Sequence, residues 1–232
     1  MLMVEKIFIA HYTPLTHRKK KLVEDMEHAG LQGEWVECEP AADEVEATYD
    51  STAQSWAKKN EIVAYPTPVA PKILNKAEIS LAYKHIKIYE KIIEDNINSA
   101  LILEDDVIFD DDFINKFNFN IMNTPRDWDF IFIGSGCDLR IDQSIRRDGI
   151  VAYRKEHPAS KCTDSYVMNL ESAKRLQQTI VPFSFPIDFE LNYQMALHNM
   201  NVYWWEPPVV RQGSQCGLYR SQVQWESGGR SR

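Results

Sequence analysis

The stretch Ala100-Leu-Ile-Leu-Glu104-Asp105-Asp106-Val107 constrains this chain more than any other. The apolar run from Ala100 to Leu103 has the length and composition of a fully buried strand. It ends in three adjacent carboxylates, which cannot continue into a dry core without partners. A divalent cation bound through oxygen is the simplest partner for such a cluster. Open α/β sheets place their ligands in the crevice beyond the carboxyl ends of the strands. The stretch therefore points to an enzyme that handles a phosphorylated donor.

The flanking sequence supplies the rest of a sheet. Lys6 to Ala10 reads as a first strand and His17 to Ala29 as a helix, with Thr16 as N-cap and Gly30 as stop. Glu34 to Cys38 reads as a second strand. The acidic, Ala-rich stretch from Glu39 to Pro71, punctuated by Pro66 and Pro68, reads as surface loop with short helix. Glu78 to Glu94 is the clearest helix, because Ile79, Ala82, Tyr83, Ile86, Tyr89 and Ile93 share one face. Beyond the acids come a helix near Asp112 to Met122 and a strand, Phe130 to Ile133, closed by Gly134-Ser135-Gly136. Gly149 to Arg154, Asp164 to Met168 and Val202 to Glu206 are further strands, and Glu171 to Thr179 and Pro186 to Asn199 further helices. In the last strand Trp204 and Trp205 should point one to each face. This alternation predicts an α/β sandwich with a largely parallel central sheet.

At 232 residues the chain suits one sizeable domain, expected over 1–225 with a disordered tail at 226–232. A net charge of −8 argues against a general nucleic-acid binder, whose phosphate contacts need surplus Lys and Arg. The basic run His17 to Lys21 reads as a solvated helix face. No apolar stretch approaches the ~20 residues that span a bilayer, and no basic region followed by an apolar core opens the chain. A cytoplasmic location is expected over a lumenal one. Cys38, Cys137, Cys162 and Cys216 show no metal-ligand spacing; their even count permits disulfides, but Cys137 and Cys162 fall in apolar or near-apolar settings that suit buried thiols.

A second acidic group, Asp110 to Asp112, sits where an N-cap and first-turn acids belong. Glu104 to Asp106 differ, since nothing polar precedes them for four residues, and metal binding is the reading they favour. An EF-hand is the rival. It needs acids at alternating positions and a glycine at the sixth, where Phe109 stands. Gly134-Ser135-Gly136 lacks the spacing of a dinucleotide fingerprint or a P-loop.

The helix Asn75-Lys-Ala-Glu78-Ile-Ser-Leu-Ala-Tyr-Lys-His85, followed by the strand ending in Glu104-Asp105-Asp106, resembles glycosyltransferase family 25. That family contains the lipooligosaccharide and procollagen galactosyltransferases. Its usual helix reads Glu-Ile-Gly-x-x-x-Ser-His; this chain keeps Glu78, Ile79 and His85 but has Ser80 for the Gly and Lys84 for the Ser. Further features recur in order: an N-terminal strand leading to Arg18 (with His11-Tyr12 departing from the family opening), Thr163-Asp164-Ser165-Tyr166, Pro186-Ile187-Asp188 and Pro208-Val209-Val210-Arg211-Gln212. Together they cover residues from about 6 to 215.

The resemblance implies a GT-A-type fold, a UDP-sugar donor and transfer with inversion to a glycan or a hydroxylated protein side chain, most simply of galactose. Glu104 and Asp106 would hold manganese or magnesium against the departing diphosphate. Asp105 would reach the donor's hydroxyls. Asp188, at a helix start, is the candidate general base, with an ordinary first-turn acid as the alternative. Arg18, Glu78, His85, Asp164, Tyr166, Arg211 and Gln212 are candidate donor or acceptor contacts. A metal-dependent phosphohydrolase and a non-catalytic nucleotide-sugar-binding relative remain the alternatives.

Overall fold

The structure, a computed structural model, describes residues 1–64, 70–156 and 159–220. Strands β1 (Lys6–Ala10), β2 (Glu34–Val36), β3 (Ser99–Glu104), β5 (Phe130–Phe132), β6 (Ala152–Lys155), β7 (Ser165–Asn169) and β8 (Val202–Trp205) form one sheet in the order β2-β1-β3-β7-β5-β8-β6. β1 pairs parallel with β2 and β3, and β5 with β8, while β7 and β6 run antiparallel to their neighbours. Five of the seven strands thus share one direction, giving a mixed, largely parallel sheet as the alternation of elements predicts.

Strand alternation sends apolar side chains to both faces. Phe8, Ile102, Phe130, Tyr166 and Trp204 join one core with Ile86, Tyr89, Leu176 and Leu191 of the helices α4 (Lys76–Glu94), α6 (Leu170–Gln177) and α7 (Ile187–Leu197). Ile9, Leu101, Leu103, Ile131 and Trp205 join the other with Leu22, Met26 and Phe117 of α1 (Thr16–His28) and α5 (Phe113–Met122). Trp204 and Trp205 therefore do face opposite layers. Ile102 is fully buried, and its truncation to Ala would cost about 2–5 kcal/mol.

α4 begins two residues before the expected Glu78. Asn75 Oδ1 accepts from the Ala77 and Glu78 amides, and Glu78 Oε2 accepts from the Asn75 amide, so a capping box sets the start. In α1 the expected Thr16 cap is not used: Leu15 stands at the N-cap without a side-chain hydrogen bond, while Gly30 takes φ +67° at the stop. The acids before α5 also differ from expectation. Asp112 occupies the N-cap in left-handed geometry without capping an amide, accepting instead from Asn115 Nδ2, and Asp110 pairs with Lys116 at 2.9 Å.

Two features exceed the sequence reading. The stretch after Glu39 holds two helices, α2 (Ala42–Thr48) and α3 (Ala53–Val63). The buried stripe of α3 is narrow and includes Lys59, which pairs with buried Glu190 of α7 at 2.7 Å, so its periodicity is masked by a charge. Directly after the acid run, β4 (Val107–Phe109) pairs antiparallel with β9 (Val210–Gln212), placing Gln212 opposite Val107. Pro66, Pro68 and the tail 226–232 lie outside the described residues. Among the described residues, no helix is long and apolar enough to cross a membrane.

Candidate functional site

The carboxyl end of β3 opens into a cleft lined in part by Arg18, Glu78, Glu104, Asp105, Asp106, Asp188 and Gln212. The three consecutive acids have different partners. Asp105 is committed to the protein: its Oδ1 accepts from Arg18 Nη1 at 2.9 Å, and its Oδ2 meets His11 Nδ1 at 2.8 Å and the Tyr12 amide at 3.2 Å. Glu104 Oε1 accepts from the Thr163 hydroxyl at 2.6 Å. Asp106 Oδ2 accepts from the Ser214 amide at 3.1 Å, and its buried Oδ1 has no hydrogen-bond partner among the described residues.

Burial and mutual repulsion set the charge state here. Desolvation, with Asp106 beside it, holds the Glu104 carboxyl well above the usual range. Asp106 is raised by desolvation, which outweighs its Ser214 hydrogen bond and nearby Arg18. Asp164, at the mouth of β7, is pushed up to about 7 by burial, only partly offset by Ser165. Among the described residues, Arg18 Nε, Asp106 Oδ1 and Gln212 Oε1 in the cleft, and Asp164 Oδ1 and His85 Nε2 behind it, are buried and without a hydrogen-bond partner. Buried donors and acceptors are normally satisfied, so this concentration around one cleft has the chemistry of a ligand site.

Among the described residues, no three His, Cys, Asp or Glu side chains are grouped to form an all-protein metal cage. The donor set fits a more open arrangement: Glu104 with Asp106 Oδ1 resembles the one or two carboxylates that hold a hard cation whose remaining ligands are phosphate and water.

α7 contributes the other acid. Pro186 precedes its first turn, and Asp188 Oδ1 accepts from the Phe189 amide at 2.9 Å. Burial, aided by the negative charge of Glu78, nonetheless pushes Asp188 up to about 6. Glu78 lines the cleft with both oxygens occupied, Oε1 by Lys72 at 2.6 Å and Oε2 by the Asn75 amide at 2.9 Å.

The remaining candidates lie elsewhere. His85 and Tyr166 are fully buried beneath the floor, sharing a 2.7 Å hydrogen bond, and Tyr166 continues to Tyr89 at 2.7 Å. Burial drives His85 down to about 3, so it is neutral, with Nε2 3.9 Å from Glu104 Oε1. Asp164 sits behind the wall, its carbonyl accepting from the Glu104 amide at 2.9 Å. Arg211 is exposed and lines a neighbouring hollow with Arg140 and Asp138.

Several site residues escaped the sequence reading. Thr163 and Ser214 orient the acids, and His11 braces Asp105. Cys137 and Cys162, expected as buried core thiols, instead line the cleft, the first exposed and the second half-buried. The apolar residues near them in sequence belong to the adjoining strands, whereas Cys137 sits in a 3-10 turn (Gly136–Asp138) after β5 and Cys162 in the segment entering β7. The Gly134-Ser135-Gly136 signal could have located them: a Cβ on Gly134 would stand 1.9 Å from Asp164 Oδ2.

The departures from the family pattern are joined to one another. Ser80 Oγ donates to Glu39 Oε2 at 2.5 Å, and Lys84 Nζ to Glu39 Oε1 at 2.7 Å. Glu39 also receives the Thr13 hydroxyl at 3.0 Å, which ties the segment holding cleft residue Tyr12 to α4.

Residues 6–191 match the family model described as glycosyltransferase family 25 (LPS biosynthesis protein). Over 130 residues the chain is 28% identical to procollagen galactosyltransferase 2 of Homo sapiens, covering 54% of this chain and 21% of that protein. The Mus musculus protein of the same name is 26% identical over 130 residues. The chain thus spans about a fifth of these relatives' length, 21% in each case. Among solved structures, the inositol-1-phosphate CTP transferase from T. maritima superposes with a TM-score of 0.46 at 14% identity, covering 96% of this chain and 94% of that one. With most of its length matched, from the first strand into α7, this chain belongs to glycosyltransferase family 25.

Proposed function

We propose that the protein is a metal-assisted, inverting glycosyltransferase of GT-A type. It moves a hexose, most simply galactose, from a UDP-sugar to a hydroxyl of a glycan or a hydroxylated protein side chain. The observation that carries this reading is the shared cleft. It joins Asp106, with an unpaired buried oxygen, to Glu104, Arg18 and Asp188. Family membership and the names of the two relatives support the galactosyl donor.

Glu104 and Asp106 would hold the manganese or magnesium ion, which when bound supplies charge neutralisation for the leaving diphosphate. Arg18 lies beside them, and its Nε–H, which has no acceptor among the described residues, would donate to a phosphate oxygen. Asp105, whose oxygens are engaged by Arg18, His11 and the Tyr12 amide, keeps Arg18 and His11 in place. Asp188 takes the acceptor hydroxyl's proton. A carboxylate near pH 6 is ionised at neutral pH yet basic enough to share a proton in the transition state. His85, Tyr166 and Asp164 act through Glu104 by fixing the floor beneath it.

UDP release tests the reading, measured with UDP-galactose, UDP-glucose and UDP-N-acetylglucosamine, with and without manganese, on wild type and Asp106→Ala. Metal-dependent release from one donor, lost in the variant, supports it. Equal release from wild type and variant would sink the carboxylate argument. Phosphate release without a sugar acceptor would favour the phosphohydrolase.

A further inference from the structure

The Gly134-Ser135-Gly136 turn brings two loops into unusually close contact. A Cβ on Gly136 would stand 2.5 Å from the Cβ of Cys162 and 2.6 Å from the Lys161 carbonyl. Only glycine lets the loop after β5 press against the segment entering β7. That approach sets Cys137 Sγ 3.0 Å from Cys162 Sγ. Both cysteines hold left-handed backbone, φ +52° and +59°, a region that residues with a Cβ seldom occupy unless the surroundings enforce it. Both are free thiols, and both line the cleft.

We propose that Cys137 and Cys162 are a dithiol modification site, oxidised by a low-molecular-weight disulfide of the glutathione type to an intrachain disulfide in the cleft wall. The two sulfurs need close by only about 1 Å to reach the ~2.05 Å of the bond. Their exposure sets the order of events. Cys137, the exposed partner, attacks one sulfur of the oxidant as its thiolate, releasing one glutathione thiolate and leaving a mixed disulfide. Cys162 then loses its proton and attacks Cys137 Sγ, releasing the second glutathione. Two thiols and one glutathione disulfide become one protein disulfide and two reduced glutathiones. The hydrogen bond from Cys162 favours this order, lowering the Cys137 thiol to about 7 while Cys162 itself is raised.

The site adds a chemistry that sugar transfer does not require, and thiol chemistry reads it out without any turnover. Oxidation would also anchor Thr163, the neighbour of Cys162 that donates to Glu104.

The full chain is equilibrated across a series of glutathione disulfide to glutathione ratios, quenched with acid and alkylated, and its peptides are mapped by mass spectrometry. The expected result is loss of two thiols in one step, with a peptide pair joined through Cys137 and Cys162 while Cys38 and Cys216 are alkylated. C162S should accumulate a glutathione adduct on Cys137, trapping the first step, and a C38S/C216S double variant should match wild type. The proposal is overturned if Cys137 and Cys162 stay alkylatable where Cys38 or Cys216 is already glutathionylated. A Cys137–Cys216 link would overturn it equally. Neither result would bear on the transferase reading, which UDP release tests separately.

Discussion

Arg18 donates from Nη1 to Asp105 Oδ1 at 2.9 Å with both side chains buried, so the middle acid of the run, although it lines the cleft, is tied to α1. Removing one member of a buried pair leaves the other uncompensated, at a cost of about 3–5 kcal/mol. Arg18→Met is therefore expected to lose about that much stability in urea unfolding. A loss within error of zero would mean that Asp105 is solvated by other means.

Asp106→Ala should separate function from stability. The variant removes a carboxylate whose ionisation burial opposes, so without metal its Tm should equal or exceed that of wild type. UDP release should fall about 100-fold or more, the usual scale for losing a group that stabilises transition-state charge. A variant that is active and destabilised would reverse both assignments.

For Asp188 the pH profile is the sharper test. Its raised value predicts that kcat rises through about pH 6 as the carboxylate ionises. Asp188→Asn should lower kcat by about 100- to 10,000-fold and flatten that acidic limb. An unchanged limb in a slow variant would assign the ionisation to another group.

Asp164 links pH to folding. Folded, it holds its proton to about 7; unfolded, to about 3.9. Between those values the folded state binds more protons, so this carboxyl's contribution to stability falls as pH rises. His85 acts oppositely: held down to about 3 when folded, it weakens the fold as pH drops below its unfolded value of about 6.5. Comparing Asp164→Asn with wild type isolates the first effect. The variant's Tm relative to wild type should climb from pH 5 to pH 8, and a constant difference would refute the assignment.

Lys84 is buried while its partner Glu39 is partly exposed. Water screens that carboxylate, so Lys84→Ala should cost about 1–3 kcal/mol, less than breaking a fully buried pair. The measurement is again urea unfolding, and the loss should shrink when Glu39 is already Gln, since the two share one network.

Much of this site was legible because its signal was local. An apolar run closed by Glu104, Asp105 and Asp106 can hardly be anything but a buried strand with a charged mouth, and β3 is that strand. Pro186-Ile187-Asp188 likewise marked a helix start that the fold brings to the same cleft. Roles were harder to read than positions. Asp105 looks no different from Asp106 in sequence, and only the spatial neighbours Arg18 and His11, which lie far away in the chain, separate them. Glu78 carried two meanings at once, and its capping-box partner Asn75 accounts for one of its oxygens. His85 and Tyr166 share a bond across 81 positions, which no periodicity reveals. β4 and β9 were invisible because three-residue strands make no pattern without each other.

That short two-stranded pairing has a practical consequence for anyone dissecting the protein. The family match stops at residue 191, a tempting place to cut a minimal fragment. Such a fragment would lose β8, which bridges β5 and β6, and with it the strand that covers Val107 and the amide of Ser214 that holds Asp106. The acids would remain in the sequence but their enclosure would be gone. Excision experiments on this chain should therefore retain residues through Arg220, whose carbonyl accepts from Arg18 Nη2 at 2.7 Å, or they will measure a floor without its roof.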